Sequence, residues 1–202
     1  MTPTIKERLQ RYASELYSWN RRYALLSRQD VVNVLSKHVA ASLGVLLLVE
    51  PEARTKWVDV GSGAGLPGLV LKIWAPDQEI VLIEGSRRKC VFMQNIARML
   101  DLGSLDVLAL RVETLIARGE RLENFDILYS RAVANITATL EYFGPLVRSG
   151  GCIITFKGPS WSNDVQQARM QGLLVAGRYR LEDVLVIPWA PGHILQIRKE
   201  NG

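Results

Sequence analysis

A chain of 202 residues, 48% hydrophobic and 22% charged, has the length of one soluble domain, 1–202, and needs no disulfide staples. Cys90 and Cys152 form no C-x-x-C pair and His38 and His193 stand apart, which excludes a zinc spacing and points to reduced, buried thiols in a cytoplasmic protein without a metal. The net charge of +5 permits a polyanionic partner, while the longest apolar run, Val45 to Val49, falls far short of the ~20 residues that span a bilayer, and the charged, aromatic N-terminus is no signal peptide.

Residues 1–56 hold nine Lys and Arg against five acids, Arg54 among them, so the head of the chain carries nearly all of the net charge. That excess fits either a solvated helix face or an RNA-facing one. Ile5, Leu9, Tyr12, Ala13, Leu16 and Tyr17 recur at helical spacing and predict an amphipathic helix ending near Asn20. A second helix is expected after Asp30, with Val31, Leu35, Val39, Leu43 and Leu46 on its apolar side. The pattern changes at residue 57. Trp57–Val60, Glu79–Ile83, Leu105–Ala109, Phe125–Tyr129 and Cys152–Phe156 are short runs rich in Val, Ile and Leu. They alternate with segments of helical length near 66–75, 86–101, 112–119, 135–148 and 160–172.

This alternation predicts βαβ units and a parallel sheet covered on both faces. Val184–Ile187 and Ile194–Arg198 flank a turn, Pro188 to Gly192, too short for a crossover helix, so they pair antiparallel if they pair at all. The expected fold is α/β, a Rossmann-like methyltransferase core over 57–202. It has a mostly parallel seven-stranded sheet, a C-terminal antiparallel hairpin and an N-terminal helical extension over 1–56.

The strongest local signal is Val58-Asp59-Val60-Gly61-Ser62-Gly63-Ala64-Gly65-Leu66-Pro67-Gly68, a strand entering a glycine turn and then a helix. Gly63, Gly65 and Gly68 satisfy G-x-G-x-x-G, which by itself does not name a ligand. Charge helps to choose. A pyrophosphate against this turn would face Asp59, and two like charges a few ångströms apart cost on the order of 4 kcal/mol at an effective dielectric of ~20. S-adenosylmethionine brings an ammonium and a sulfonium instead, so Asp59 favours the methyl donor over a dinucleotide. The alternative is that Asp59 merely caps neighbouring backbone amides. Glu84, 23 residues beyond Gly61, ends the second strand where an acid accepts ribose hydroxyls; without a ligand it is a helix N-terminal acid.

Several segments together resemble the bacterial 16S rRNA guanine-N7 methyltransferases, the RsmG/GidB family. They are Trp19-Asn20 with Tyr23, Lys37-His38, the turn Gly61 to Gly68, Lys89 with Phe92, Arg111-Val112-Glu113, Ser130-Arg131-Ala132-Val133-Ala134 and Lys157-Gly158. The resemblance covers nearly the whole chain. It implies a methyltransferase that uses S-adenosyl-L-methionine, with 16S rRNA or the small ribosomal subunit as partner, and a monomer. It places Gly61, Leu66, Val112, Glu113 and Arg131 at the donor, joining Asp59, Gly63 and Glu84 from the residue reading. Arg131 and Lys157 are expected to position donor and RNA, with an Arg131–Glu113 ion pair as the structural alternative for the arginine. Trp19, Arg21, Arg22, Lys37, His38, Arg87, Arg88 and Lys157 are expected to face RNA. The chain departs from the pattern at Ala24 and Ala41, where many relatives carry Asn and an acid.

Absences bear on the chemistry. Neither cysteine has the flanking proline of a pyrimidine-C5 nucleophile, and Ser130-Arg131-Ala132-Val133 is not the Asx/Ser-Pro-Pro-aromatic loop of exocyclic-amine enzymes. Guanine N7 has an in-plane lone pair and no proton, so it needs neither device. A small-molecule or other-RNA methyltransferase on the same scaffold, and a degenerate donor-binding module, remain open at this stage.

Overall fold

The computed structural model describes residues 3–52, 55–120, 123–131, 134–187 and 192–201. The predicted turn at Pro188–Pro191, and Arg54, Ala132 and Val133, therefore lie outside the described residues. Helix α1 (Ile5–Tyr23) starts at a capping box in which Thr4 Oγ1 accepts from the Glu7 amide and Glu7 accepts in turn from the Thr4 amide. Its buried stripe is Leu9, Tyr12 and Leu16. It runs three residues past the expected end, because Asn20 closes the turn that follows rather than the helix itself. The Asn20 carbonyl accepts from the Ala24 amide at 3.2 Å and its side-chain oxygen from the Leu26 amide at 2.7 Å.

The second helical segment is not one regular helix. Short α2 (Arg28–Val32) begins before Asp30 because the Ser27 hydroxyl caps it, accepting from the Asp30 amide at 3.1 Å. A π-helical turn over Val34–Val39, then α3 (Ala40–Leu43) and a 3₁₀ turn over Gly44–Leu47, complete the run. The wide turn rotates the buried face, so Val34 is buried while Leu35, expected on the apolar side, is 46% exposed.

From there strands and helices alternate as the sequence predicts: β1 (Lys56–Val60), α4 (Gly68–Trp74), β2 (Glu79–Ile83), α5 (Arg87–Met99), β3 (Leu105–Leu108), α6 (Val112–Ala117) and β4 (Phe125–Arg131). The segment expected as a helix over 135–148 breaks up instead. It forms a one-turn α7 (Ile136–Ala138), a π-helical turn over Thr139–Phe143 and a 3₁₀ turn over Gly144–Leu146. Gly144-Pro145 stops regular helix there, and any side chain at Gly144 would meet the Tyr179 hydroxyl at 2.1 Å. β5 (Val147–Lys157), α8 (Trp161–Met170), β6 (Tyr179–Val186) and β7 (His193–Lys199) finish the chain.

The seven strands form one sheet in the order β3-β2-β1-β4-β5-β7-β6. The pairs among β3, β2, β1, β4 and β5 are parallel, and β7 pairs antiparallel with both β5 and β6. This is the Rossmann-like methyltransferase sheet expected from the sequence. Two apolar clusters cover its faces. Trp57, Leu69, Phe92 and Tyr129 join Leu9, Tyr12 and Leu16 of α1 on one side, while Val58, Val60, Leu128 and Ile153 join Leu115, Ile136 and Val165 on the other. The chain order reverses between β1 and β4, and in open α/β sheets ligands bind beyond the carboxyl ends of the strands at such a point.

Candidate active site

β1 alternates its side chains, with Val58 and Val60 on one face and Trp57 and Asp59 on the other. Asp59 therefore turns beneath the glycine turn and is fully buried. Its Oδ2 accepts from the Gly68 amide at 2.8 Å, and its Oδ1 is buried without a partner among the described residues. Burial, only partly offset by that amide and by the charge of Arg131, pushes Asp59 up to about 7. The backbone-capping role left open in the sequence is thus present. Gly68 has to be glycine, since a Cβ there would meet Leu82 at 2.3 Å and the Asp59 carboxylate at 2.8 Å. Leu66 packs into the apolar cluster beneath α1 rather than lining either cleft described below.

A first cleft, of about 420 Å³, opens at the ends of β1, β2 and β3, and its lining includes Gly61, Glu84, Ser86, Arg111, Val112 and Glu113. Glu84 organises its floor. One carboxylate oxygen accepts from the Gly63 amide at 2.9 Å and the other from the Ser86 amide at 2.8 Å. A carboxylate offers about four acceptor directions, so this geometry spends half and leaves the rest for a diol. Gly61, Gly63, Glu84, Val112 and Glu113 are brought together here.

A second cleft, of about 380 Å³, lies at the ends of β4 and β5, lined in part by Asp30, Lys37, His38, Ala41, Arg131 and Lys157. Arg131 is its centre. Its Nη2 lies 2.5 Å from His38 Nδ1, its Cζ lies 5.6 Å from the centroid of the Phe156 ring, and its Nη1 is buried without a partner among the described residues. His38 Nε2 in turn lies 3.1 Å from Asp30 Oδ1. The arginine's recorded partner is thus His38, whereas Glu113 lines the other cleft. Burial, then the neighbouring charge of Arg131, holds His38 below the usual histidine range. Burial also lowers Lys157, whose ammonium donates to the Ala134 carbonyl just beyond β4.

The residues expected to face RNA divide. Lys37, His38 and Lys157 meet in the second cleft. Trp19 packs edge-on against Phe92 with centroids 5.5 Å apart and rests on Tyr23, so it joins α1 to α5. Arg21 and Arg22 lie in the last turn of α1 and line a surface groove with Tyr17 and Val32. Arg87 and Arg88 are exposed in the first turn of α5, where positive charge opposes the helix dipole and does nothing for the helix. Asp30, Tyr12 and Phe156 were missed by the sequence reading, because none belongs to a motif and their partners are distant in the chain. Among the described residues no His, Cys, Asp and Glu side chains gather as a metal site, and no helix is long and apolar enough to cross a membrane.

The strand order, the glycine turn and the acid closing β2 define a Rossmann-like methyltransferase. The chain belongs to the rRNA small subunit methyltransferase G family, GidB, whose sequence pattern matches residues 5–178. It is 35% identical to the ribosomal RNA small subunit methyltransferase G of Roseiflexus castenholzii over 81% of this chain and 70% of that protein. Against the protein of the same name from Roseiflexus sp. the identity is 34%, over 90% of this chain and 77% of the relative. A crystal structure of a mutant of MtNAS in complex with S-adenosylmethionine superposes with a TM-score of 0.64 at 12% identity, covering 97% of this chain and 77% of that one. That likeness is one of fold.

Proposed function

We propose that the chain transfers a methyl group from S-adenosylmethionine to N7 of a guanine in 16S rRNA, within the cytoplasm. The observation that carries this reading is the state of His38. Its imidazole is hydrogen-bonded to Arg131, and both ring nitrogens are engaged, one by the guanidinium and one by Asp30. The imidazole in contact with Arg131 is thus committed to holding the guanidinium rather than free to take a substrate proton, and N7 has none to give up.

The donor fits the first cleft by the chemistry of its lining. Glu84 retains acceptor directions for two ribose hydroxyls, Val112 offers an apolar side for adenine, and the backbone amides at the start of α6 have no intrahelical acceptor. Asp59 supplies negative potential beneath the turn. When bound, the donor supplies an electrophilic methyl on a sulfonium, whose C–S bond breaks as the N7–C bond forms. Arg131 and Lys157 hold the reactants from the side of β4 and β5, and Lys37 adds a third positive charge at the cleft. Orientation of this kind contributes roughly 7–11 kcal/mol where reactants are held in line. Arg21, Arg22, Arg87 and Arg88 meet RNA phosphates around the clefts.

The test is to incubate the chain with labelled donor and small-subunit RNA lacking the modification, then map the methylated base. Label at a guanine N7 is expected, with Arg131→Ala slower by at least about tenfold at saturating donor and RNA. Label at another atom, or a loss under about twofold in that variant, would overturn the reading or the role of Arg131 respectively.

A further inference from the structure

We infer that Asp30 and His38 are positioning residues that orient the Arg131 guanidinium for methyl transfer, through a relay of two hydrogen bonds running from α2 to the end of β4. The inference rests on the reading of Arg131 as part of the reacting site, and it changes the role of His38 from RNA contact to support.

The relay starts at the cap of α2. Ser27 Oγ donates to Asp30 Oδ2 at 2.6 Å and accepts from the Asp30 amide at 3.1 Å, which fixes the carboxylate with Oδ1 toward His38. The same hydroxyl contact, ahead of the histidine, keeps Asp30 below the usual carboxylate range, so it is ionised at neutral pH. The π-helical turn over Val34–Val39 then carries Lys37 and His38 to the cleft. A guanidinium only donates, so His38 Nδ1, 2.5 Å from Arg131 Nη2, has to be the acceptor. That assigns the ring proton to Nε2, toward Asp30 Oδ1 at 3.1 Å. Each group has one role, and a protonated ring would break the contact to arginine.

Arg131 is thereby held on two sides. His38 takes one nitrogen, and Phe156 lies 5.6 Å from Cζ, packed against the guanidinium. Nη1 is left buried without a partner among the described residues, as a donor available to a carboxylate, phosphate or base carbonyl. A lysine at 131 would offer no such pre-set edge. The charged and titratable groups around this relay are Lys37 beside His38, Tyr12 and Asp59 around Arg131, and Lys157 and His193 across the cleft.

The experiment compares His38→Ala, His38→Asn, Asp30→Asn and Arg131→Ala in the full chain, using labelled donor and undermodified small subunits. His38→Ala is expected to be roughly tenfold slower at saturating donor and RNA, with RNA affinity changed by less than about twofold. His38→Asn, whose amide oxygen can accept from the guanidinium, recovers at least part of that rate. If His38 acts through Arg131, adding His38→Ala to Arg131→Ala costs nothing further; losses that multiply would overturn the relay. A second readout needs no activity. With only two histidines in the chain, ring ¹⁵N spectra can assign His38. The neutral Nε2–H tautomer is expected at pH 7, its titration moving up in Arg131→Ala and down in Asp30→Asn. A His38 signal indifferent to both substitutions would overturn the relay. Methyl transfer absent from the wild-type chain, with ring spectra as described, would overturn the reaction and leave the relay standing.

Discussion

The phenol of Tyr12 donates a 2.8 Å hydrogen bond to the Ala64 carbonyl, joining the first helix to the glycine turn across 52 residues of chain. Tyr12 is fully buried, and burial raises its hydroxyl well above the usual tyrosine range, so it stays a donor at any working pH. The basic N-terminal helix is therefore fastened to the glycine turn by a polar contact as well as by packing. Arg131 and Asp59 both act electrostatically on this phenol.

Tyr12→Phe keeps the ring and removes one hydroxyl. The Ala64 carbonyl then loses its recorded partner in a buried turn, at a cost of about 1–3 kcal/mol. For a chain of this length that lowers the melting temperature by several degrees, at about 2–4 °C per kcal/mol. Donor affinity, measured by calorimetry, falls with it because the turn is less firmly set. A variant that melts with the wild type and binds donor equally well would show that packing alone places α1.

Ala24 gives a second outcome. It ends α1 in the left-handed region, at φ 46° and ψ 54°, a conformation that costs an L-residue with a Cβ about 1–2 kcal/mol. Asn follows Gly in the ordinary preference for such a helix end, so an Asn at this position is favoured by backbone conformation without any RNA contact. Ala24→Asn is expected to raise the melting temperature by about 2–4 °C. RNA affinity should stay within about twofold of wild type, and an RNA effect larger than that would return position 24 to the docking surface.

What the sequence made legible follows from how each element is stabilised. β1, β2 and β4 are covered on both faces, so they appear as runs such as Trp57–Val60 and Glu79–Ile83 whatever their partners. The segments 28–47 and 136–146 were not legible as mixed helices, since an apolar residue does not announce a π-helical turn. Glu84 stood out because an acid ending the second strand keeps a fixed spacing from the glycine turn, whereas Val112 and Glu113 came from the family resemblance; the three line one cleft. The pairing of Asp30 and His38 with Arg131 was hidden, because its second contact spans 93 residues and links residues from separate motifs. Ala41 shows a limit of another kind. It lines the Arg131 cleft as a small apolar side chain, and Asp30, eight residues before the histidine, is the acid beside His38.

Asp59 yields the prediction with the plainest pH signature. Its carboxyl is raised to about 7 in the folded chain, above the ordinary value near 4 that it has when unfolded. The folded chain therefore binds the extra proton between those values. The stability associated with Asp59 is greatest when it is protonated and falls as pH rises towards about 7, by up to about 1.4 kcal/mol per pH unit, then levels off. In Asp59→Asn, where the amide oxygen still accepts from Gly68, this slope should vanish, and thermal melts at pH 5, 6, 7 and 8 would measure it. A bound cation has the opposite linkage, since its charge favours the carboxylate and drives the proton off. Donor affinity should accordingly rise from pH 5.5 to pH 7.5, with proton release at the lower pH detected by calorimetry in buffers of different ionisation enthalpy. Asp59→Asn should bind more weakly and release no proton. Equal donor affinity at both pH values, with no buffer dependence, would mean that Asp59 serves the Gly68 amide alone and that the turn's preference for a cationic ligand has another source.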